Sequence, residues 1–120
     1  MDILILESSE EAGLHVKEYL RMVLSGSSSI ESTSDPHDAI DKIHRSDPEP
    51  AVLIAHYDSE SPRAEVLAVY ATVKRIWPDI RFLFLATHAP PPDLRGKDAC
   101  IQLPFLPLQL SNAVIQLRGS

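Results

Sequence analysis

Three short, unbroken apolar runs constrain what this chain can fold into: Ile3 to Leu6, Val52 to Ala55, and Phe82 to Ala86 within the expected strand Ile80 to Ala86. Runs of this length without polar interruption suit strands buried on both faces, the habit of a parallel sheet rather than a half-solvated antiparallel one. The segments between them change period. Ser8 and Glu11 stand at capping-box spacing, Ala12, Val16, Leu20 and Leu24 recur at helical intervals, and Gly26 marks a stop, so a helix is expected to about Ser25. Asp35-Pro36 reads as an N-cap followed by proline at the first helical position. Ala39, Ile40 and Ile43 supply the buried stripe of that helix, which ends before Pro48. Pro62 opens a third helix carrying Val66, Val69, Tyr70 and Val73 and closed by Trp77-Pro78. A last helix starts near Pro107 and buries Leu110, Ala113, Val114 and Leu117.

Two weaker strands complete the series, one across residues 28 to 34 around Ile30 and one from Ala99 to Leu103. Strands alternating with helices imply an α/β domain, a parallel sheet covered on both faces, and 120 residues supply one such domain, residues 1–120. The stretch HAPPPDLRGKD, residues 88 to 98, interrupts the alternation, because three consecutive prolines remove backbone donors and oppose a full helix. In a doubly wound sheet the carboxyl ends of the strands gather at one edge, where ligands bind. That edge is expected to carry Glu7 and Ser8, His56 to Asp58, Ala86 to His88, and Leu103-Pro104.

Charge and composition narrow the function classes. The net charge is −6, and the longest basic run is Lys74-Arg75, which argues against a phosphate-neutralising surface, so no direct nucleic-acid binding is expected. Aromatic residues are 6% of the chain, so an aliphatic core is expected. A single cysteine, Cys100, reads as a small core hydrophobe in a reducing, cytoplasmic compartment. The first residues have neither the basic flank of a signal peptide nor the length of a membrane span. No Ser-His-Asp spacing and no glycine-rich phosphate loop point to an enzyme. His15, His37 and His44 fall on helices without partner spacing and are expected in solvent.

The order of elements, ILILES at the start, DPHDAIDKI at the second helix and GKDACIQLPF at the fifth strand together resemble the receiver domain of bacterial response regulators over essentially the whole chain. The resemblance implies a flavodoxin-like sheet in the order 2-1-3-4-5. It also implies phosphoryl transfer from a sensor kinase's phosphohistidine to an aspartate after the third strand. An acidic pair holding Mg²⁺, a hydroxyl after the fourth strand and a lysine at the end of the fifth stabilise the transferred group. This chain departs from that set. Glu7 is followed by Ser8, the lysine position is Leu103, and Lys97 lies six residues upstream, too far along a strand to replace it. Ala86 falls at the hydroxyl position, with Thr87 one residue later and therefore expected on the other face. The fourth helix of the family is shortened or missing.

The acceptor position lies in AVLIAHYDSESP, residues 51 to 62, and two registers compete there. Ending the buried strand at Ala55 puts His56 at the acceptor position and gives the following loop two extra residues. Counting back from Pro62 selects Asp58 instead. The resulting expectation is a degenerate receiver, not an enzyme, that needs no cofactor and recognises partners by its surface: a histidine kinase, an output domain or a second copy. Leu106, Leu108 and Ile115, off the buried stripe of the last helix, are the candidate interaction surface. One alternative is a residual phosphoacceptor at Asp58 using Mg²⁺. Another is a metal- or pH-responsive domain built on His56 with Glu7 and His88.

Overall fold

In the computed structural model, residues 1–7, 10–24, 29–58, 64–87, 89–91, 94, 96, 98–102 and 107–119 are described. The elements run β1 (Ile3–Leu6), α1 (Glu10–Val23), β2 (Ile30–Thr33), α2 (Pro36–Arg45), β3 (Val52–Tyr57), α3 (Ala64–Ile76), β4 (Arg81–Ala86), β5 (Ala99–Gln102) and α4 (Pro107–Arg118). All strand pairings are parallel and the order is β2-β1-β3-β4-β5. The α2 start follows the sequence signals: the Asp35 carboxylate accepts a 2.9 Å hydrogen bond from the His37 N–H, and Pro36 occupies the first turn.

The central strands are buried on both faces, and their alternation sorts the core into two halves. Leu4, Leu6, Leu53, Ala55, Phe82 and Phe84 face α2 and α3. Ile3, Ile5, Val52, Ile54, Leu83 and Leu85 face α1 and α4. The expected aliphatic core holds only for the second half. On the α2/α3 side Tyr70 meets Phe82 and Phe84 edge-on, with ring centres 4.7 and 5.2 Å apart, and Tyr57 lies 6.4 Å from Phe84. Composition counts rings without saying where they gather, and here most of the few gather on one face.

Two other expectations are corrected. β3 does not end at Ala55; it runs through Tyr57, so His56 stands on the strand, and the loop expected to carry two extra residues after it lies largely outside the described residues. Helix α3 runs from Ala64, and Pro62, expected to open it, lies outside the described residues. Cys100 is only half-buried, touching the α2/α3 cluster, and burial pushes its thiol up while a backbone hydrogen bond with Ala86 opposes that shift. The exposed histidines 15, 37 and 44 sit on helices, although the His44 ring also meets Trp77 edge-on.

No helix occurs among the described residues between β4 and β5. Leu94 from this connection packs on the α2/α3 cluster. Asp98, just before β5, is the anchor that sequence reading missed. Its side chain has no exposed surface, and Oδ1 accepts from Lys74 Nζ at 3.2 Å and from the Phe82 N–H at 2.8 Å. Oδ2 accepts from the Tyr70 hydroxyl at 2.7 Å. On α4, Leu108 and Ile115 are 69% and 54% exposed, as expected for residues off its buried stripe; Leu106 lies outside the described residues. Among the described residues, no helix is long and apolar enough to cross a membrane.

Candidate functional site

The carboxyl ends of β1, β3 and β4 bring together Glu7, His56 and Thr87. Strand parity explains why. Ile3 and Ile5 face α1 and α4, and Glu7 continues their alternation; Val52 and Ile54 lead to His56; Leu83 and Leu85 lead to Thr87. The backbone carries that parity beyond the strands. The Glu7 N–H bonds to the Thr33 carbonyl at 3.1 Å, and the Thr87 N–H bonds to the Tyr57 carbonyl at 2.9 Å.

Thr87, not Ala86, is therefore the hydroxyl on the site face. Ala86 is fully buried and pairs with Tyr57, continuing the Phe82 and Phe84 parity toward α2 and α3. The rule that a one-residue shift reverses the face is sound. Its starting register was wrong by one, because a strand buried on both faces shows no polar alternation to count from.

His56 Nε2 lies 2.7 Å from Thr87 Oγ1. His56 Nδ1 is 3.6 Å from Glu7 Oε1, an electrostatic contact longer than a hydrogen bond. The imidazole side chain is 26% exposed and the Glu7 side chain 9%. Helix α1 covers Glu7 closely at Gly13, where an added Cβ would stand 3.6 Å from the Glu7 Cβ and 3.4 Å from the Ser32 Cβ. These are ordinary contact distances, so Gly13→Ala fits and gains helix propensity. An increase in stability of about 0.5–1 kcal/mol is expected, read as a higher urea midpoint; a lower midpoint would show that α1 cannot yield there.

Asp58 follows directly after β3 and is partly exposed. Ser8, His88, Leu103 and Lys97 lie outside the described residues. Among the described residues, no group of three metal-ligating side chains is gathered. Mg²⁺ prefers oxygen donors and retains several waters. Among the described residues directly following these strands, Glu7 and Asp58 carry carboxylate oxygens, Glu7 buried and Asp58 partly exposed. The direct contact in the arrangement is that of the His56 imidazole with the Thr87 hydroxyl, with the Glu7 carboxylate on the other side of the ring.

No family model and no curated protein matches the chain. Solved structures do. A two component transcriptional regulator AraC from Clostridium phytofermentans ISDg is similar at 20% identity with a TM-score of 0.78, over 99% of this chain and 92% of that one. A response regulator receiver domain protein from Clostridium thermocellum is similar at 14% identity and TM-score 0.75, over 98% and 94%. A response regulator receiver protein from Sinorhizobium medicae WSM419 gives 18% identity and TM-score 0.75, over 100% and 95%. At these identities the likeness is one of architecture, and together with the strand order it establishes that this chain has the flavodoxin-like fold of response-regulator receiver domains.

Proposed function

We infer that the chain is a receiver-fold interaction module of two-component signalling that has lost phosphorylation-driven switching. It works by surface recognition of a histidine kinase, an output domain or a second copy of itself, without enzymatic turnover and without a cofactor. The observation that carries this reading is the 2.7 Å contact between His56 Nε2 and Thr87 Oγ1. In the family the chain resembles, the corresponding hydroxyl binds an oxygen of the transferred phosphoryl group. Here a ring nitrogen already engages it, so the hydroxyl has a partner with no phosphoryl group present. The acceptor strand offers an imidazole level with Glu7 where an acyl phosphate requires a carboxylate. Leu103 at the lysine position supports the same reading, since it has no charge for phosphoryl oxygens.

The surface is thus held in one state, with Leu108 and Ile115 exposed on α4 as contact residues. Titration with beryllofluoride and Mg²⁺, a phosphoryl mimic, followed through the backbone amides of Glu7, Asp58 and Thr87 by NMR, tests it. No saturable change is expected. A saturable change abolished by Asp58→Asn would instead identify a residual phosphoacceptor.

A further inference from the structure

Helices α2 and α3 cover one half of the core and touch near their carboxyl ends, where the His44 ring meets Trp77 edge-on with centres 4.7 Å apart. Toward their amino ends a groove of about 520 Å³ lies between them. Helical period sets its floor. Ala39 and Ile43 turn fully into the core and leave Ile40 half-buried at their side; on α3, Val69 is buried while Ala68, one residue earlier, is exposed. Pro36 and Ile40 from α2 thus line the groove with apolar surface opposite Ala68 and Val69 from α3.

The fixed charges on this groove are of one sign. Asp41 lines it from α2 and Glu65 from α3, and no Lys or Arg does among the described residues. Neither carboxylate has an ion-pair partner among the described residues. The nearby cations are engaged elsewhere: Lys42 pairs with Glu31 at 3.3 Å, the Arg45 guanidinium with Asp38 at 3.8 Å, and Lys74 with Asp98 at 3.2 Å. Glu65, in the first turn of α3, also meets that helix's dipole favourably, whereas Asp41 lies past the first turn of α2 and has no such role.

An apolar seam between two helices, with acid on both rims, is complementary to an amphipathic helix whose apolar row is flanked by basic residues. We propose that the α2/α3 groove docks a basic amphipathic helix of a partner protein. Apolar side chains three and four residues apart pack on Ile40, Ala68 and Val69, and Lys or Arg beside them pairs with Asp41 and Glu65. A second copy of this chain fits less well, because a two-fold contact would set the same acids against each other on chains carrying a net charge of −6. The groove lies on the opposite side of the sheet from α4, so this contact is additional to the surface at Leu108 and Ile115 and does not depend on the state of His56.

The test is NMR titration of the isotope-labelled intact chain, at physiological ionic strength, with two synthetic helical peptides of about five turns. Both carry the same leucine row; one has lysine and the other glutamate at the flanking positions. Saturable amide shifts centred on Ile40, Asp41, Glu65 and Ala68 are expected with the lysine peptide and none with the glutamate peptide. The double variant Asp41→Asn, Glu65→Gln is expected to weaken binding about tenfold, the combined effect of two exposed pairs. Ala68→Arg, a change at an exposed position that fills the groove with a cation, is expected to abolish binding, and the amide spectrum of each variant reports whether the fold is kept. Shifts centred on any other surface, no saturable shift, or unchanged affinity in a folded Ala68→Arg chain would overturn the proposal. So would a dimer in sedimentation that Ala68→Arg dissociates, which would give the groove to a second copy.

Discussion

Replacing Asp98 by alanine is expected to lower stability by about 3–5 kcal/mol, the usual consequence of removing one partner of a buried, hydrogen-bonded ion pair. The Asp98 side chain is fully buried and the Lys74 side chain is 8% exposed, so the remaining ammonium would stay largely out of water, with the carbonyls of Ile80 and Pro78, at 2.9 and 3.4 Å, as its partners among the described residues. Tyr70 and the Phe82 N–H would lose a bond each to the same carboxylate. Because domains of this kind are stable by only about 5–15 kcal/mol, the variant should unfold at a much lower urea concentration. The double change Asp98→Leu with Lys74→Met removes both charges, and is expected to cost less than Asp98→Ala alone. A shift in Asp98→Ala of under about 1 kcal/mol would mean that the pair is solvated in solution.

The second large effect belongs to Phe84. Its ring is fully buried and meets Tyr57, Tyr70 and Phe82, so Phe84→Ala leaves a cavity within the aromatic half of the core. A loss of about 3–5 kcal/mol is expected by chemical denaturation. Ile115→Ala is the contrast. That side chain is 54% exposed, and its removal should leave stability within about 0.5 kcal/mol while weakening any contact α4 makes with a partner. Equal losses from the two changes would contradict the assignment of Ile115 to the surface.

The strand runs at Ile3, Val52 and Phe82 disclose the architecture because burial on both faces demands continuous apolar sequence, and the Asp35-Pro36 cap discloses α2 almost to the residue. That same continuity conceals which face each side chain takes. Parity in β4 was legible only as Phe82 and Phe84 alternating with Leu83 and Leu85, a faint signal that aromatic rings shared one face. Missing it moved the site hydroxyl from Thr87 to Ala86. Asp98 was illegible for another reason. An aspartate after Gly96-Lys97 reads as a solvated turn residue, whereas its partners Lys74 and Tyr70 are 24 and 28 residues away in sequence. His56 opposite Glu7 was closer to hand, since the match of Leu6 to Ala55 fixes the next step of both strands.

In the reading proposed above, the strand end that carries a carboxylate acceptor in receivers here carries the His56 imidazole, whose Nε2 lies 2.7 Å from the Thr87 hydroxyl. The signalling proposal therefore depends on the absence of an aspartyl phosphate. The most direct measurement is incubation with Mg²⁺ and acetyl phosphate carrying radioactive phosphorus, followed by counting of hydroxylamine-sensitive label on the intact chain. The account predicts no stable phosphoryl label on either the native chain or Asp58→Asn. Near-stoichiometric label on the native chain, lost in Asp58→Asn, would contradict it.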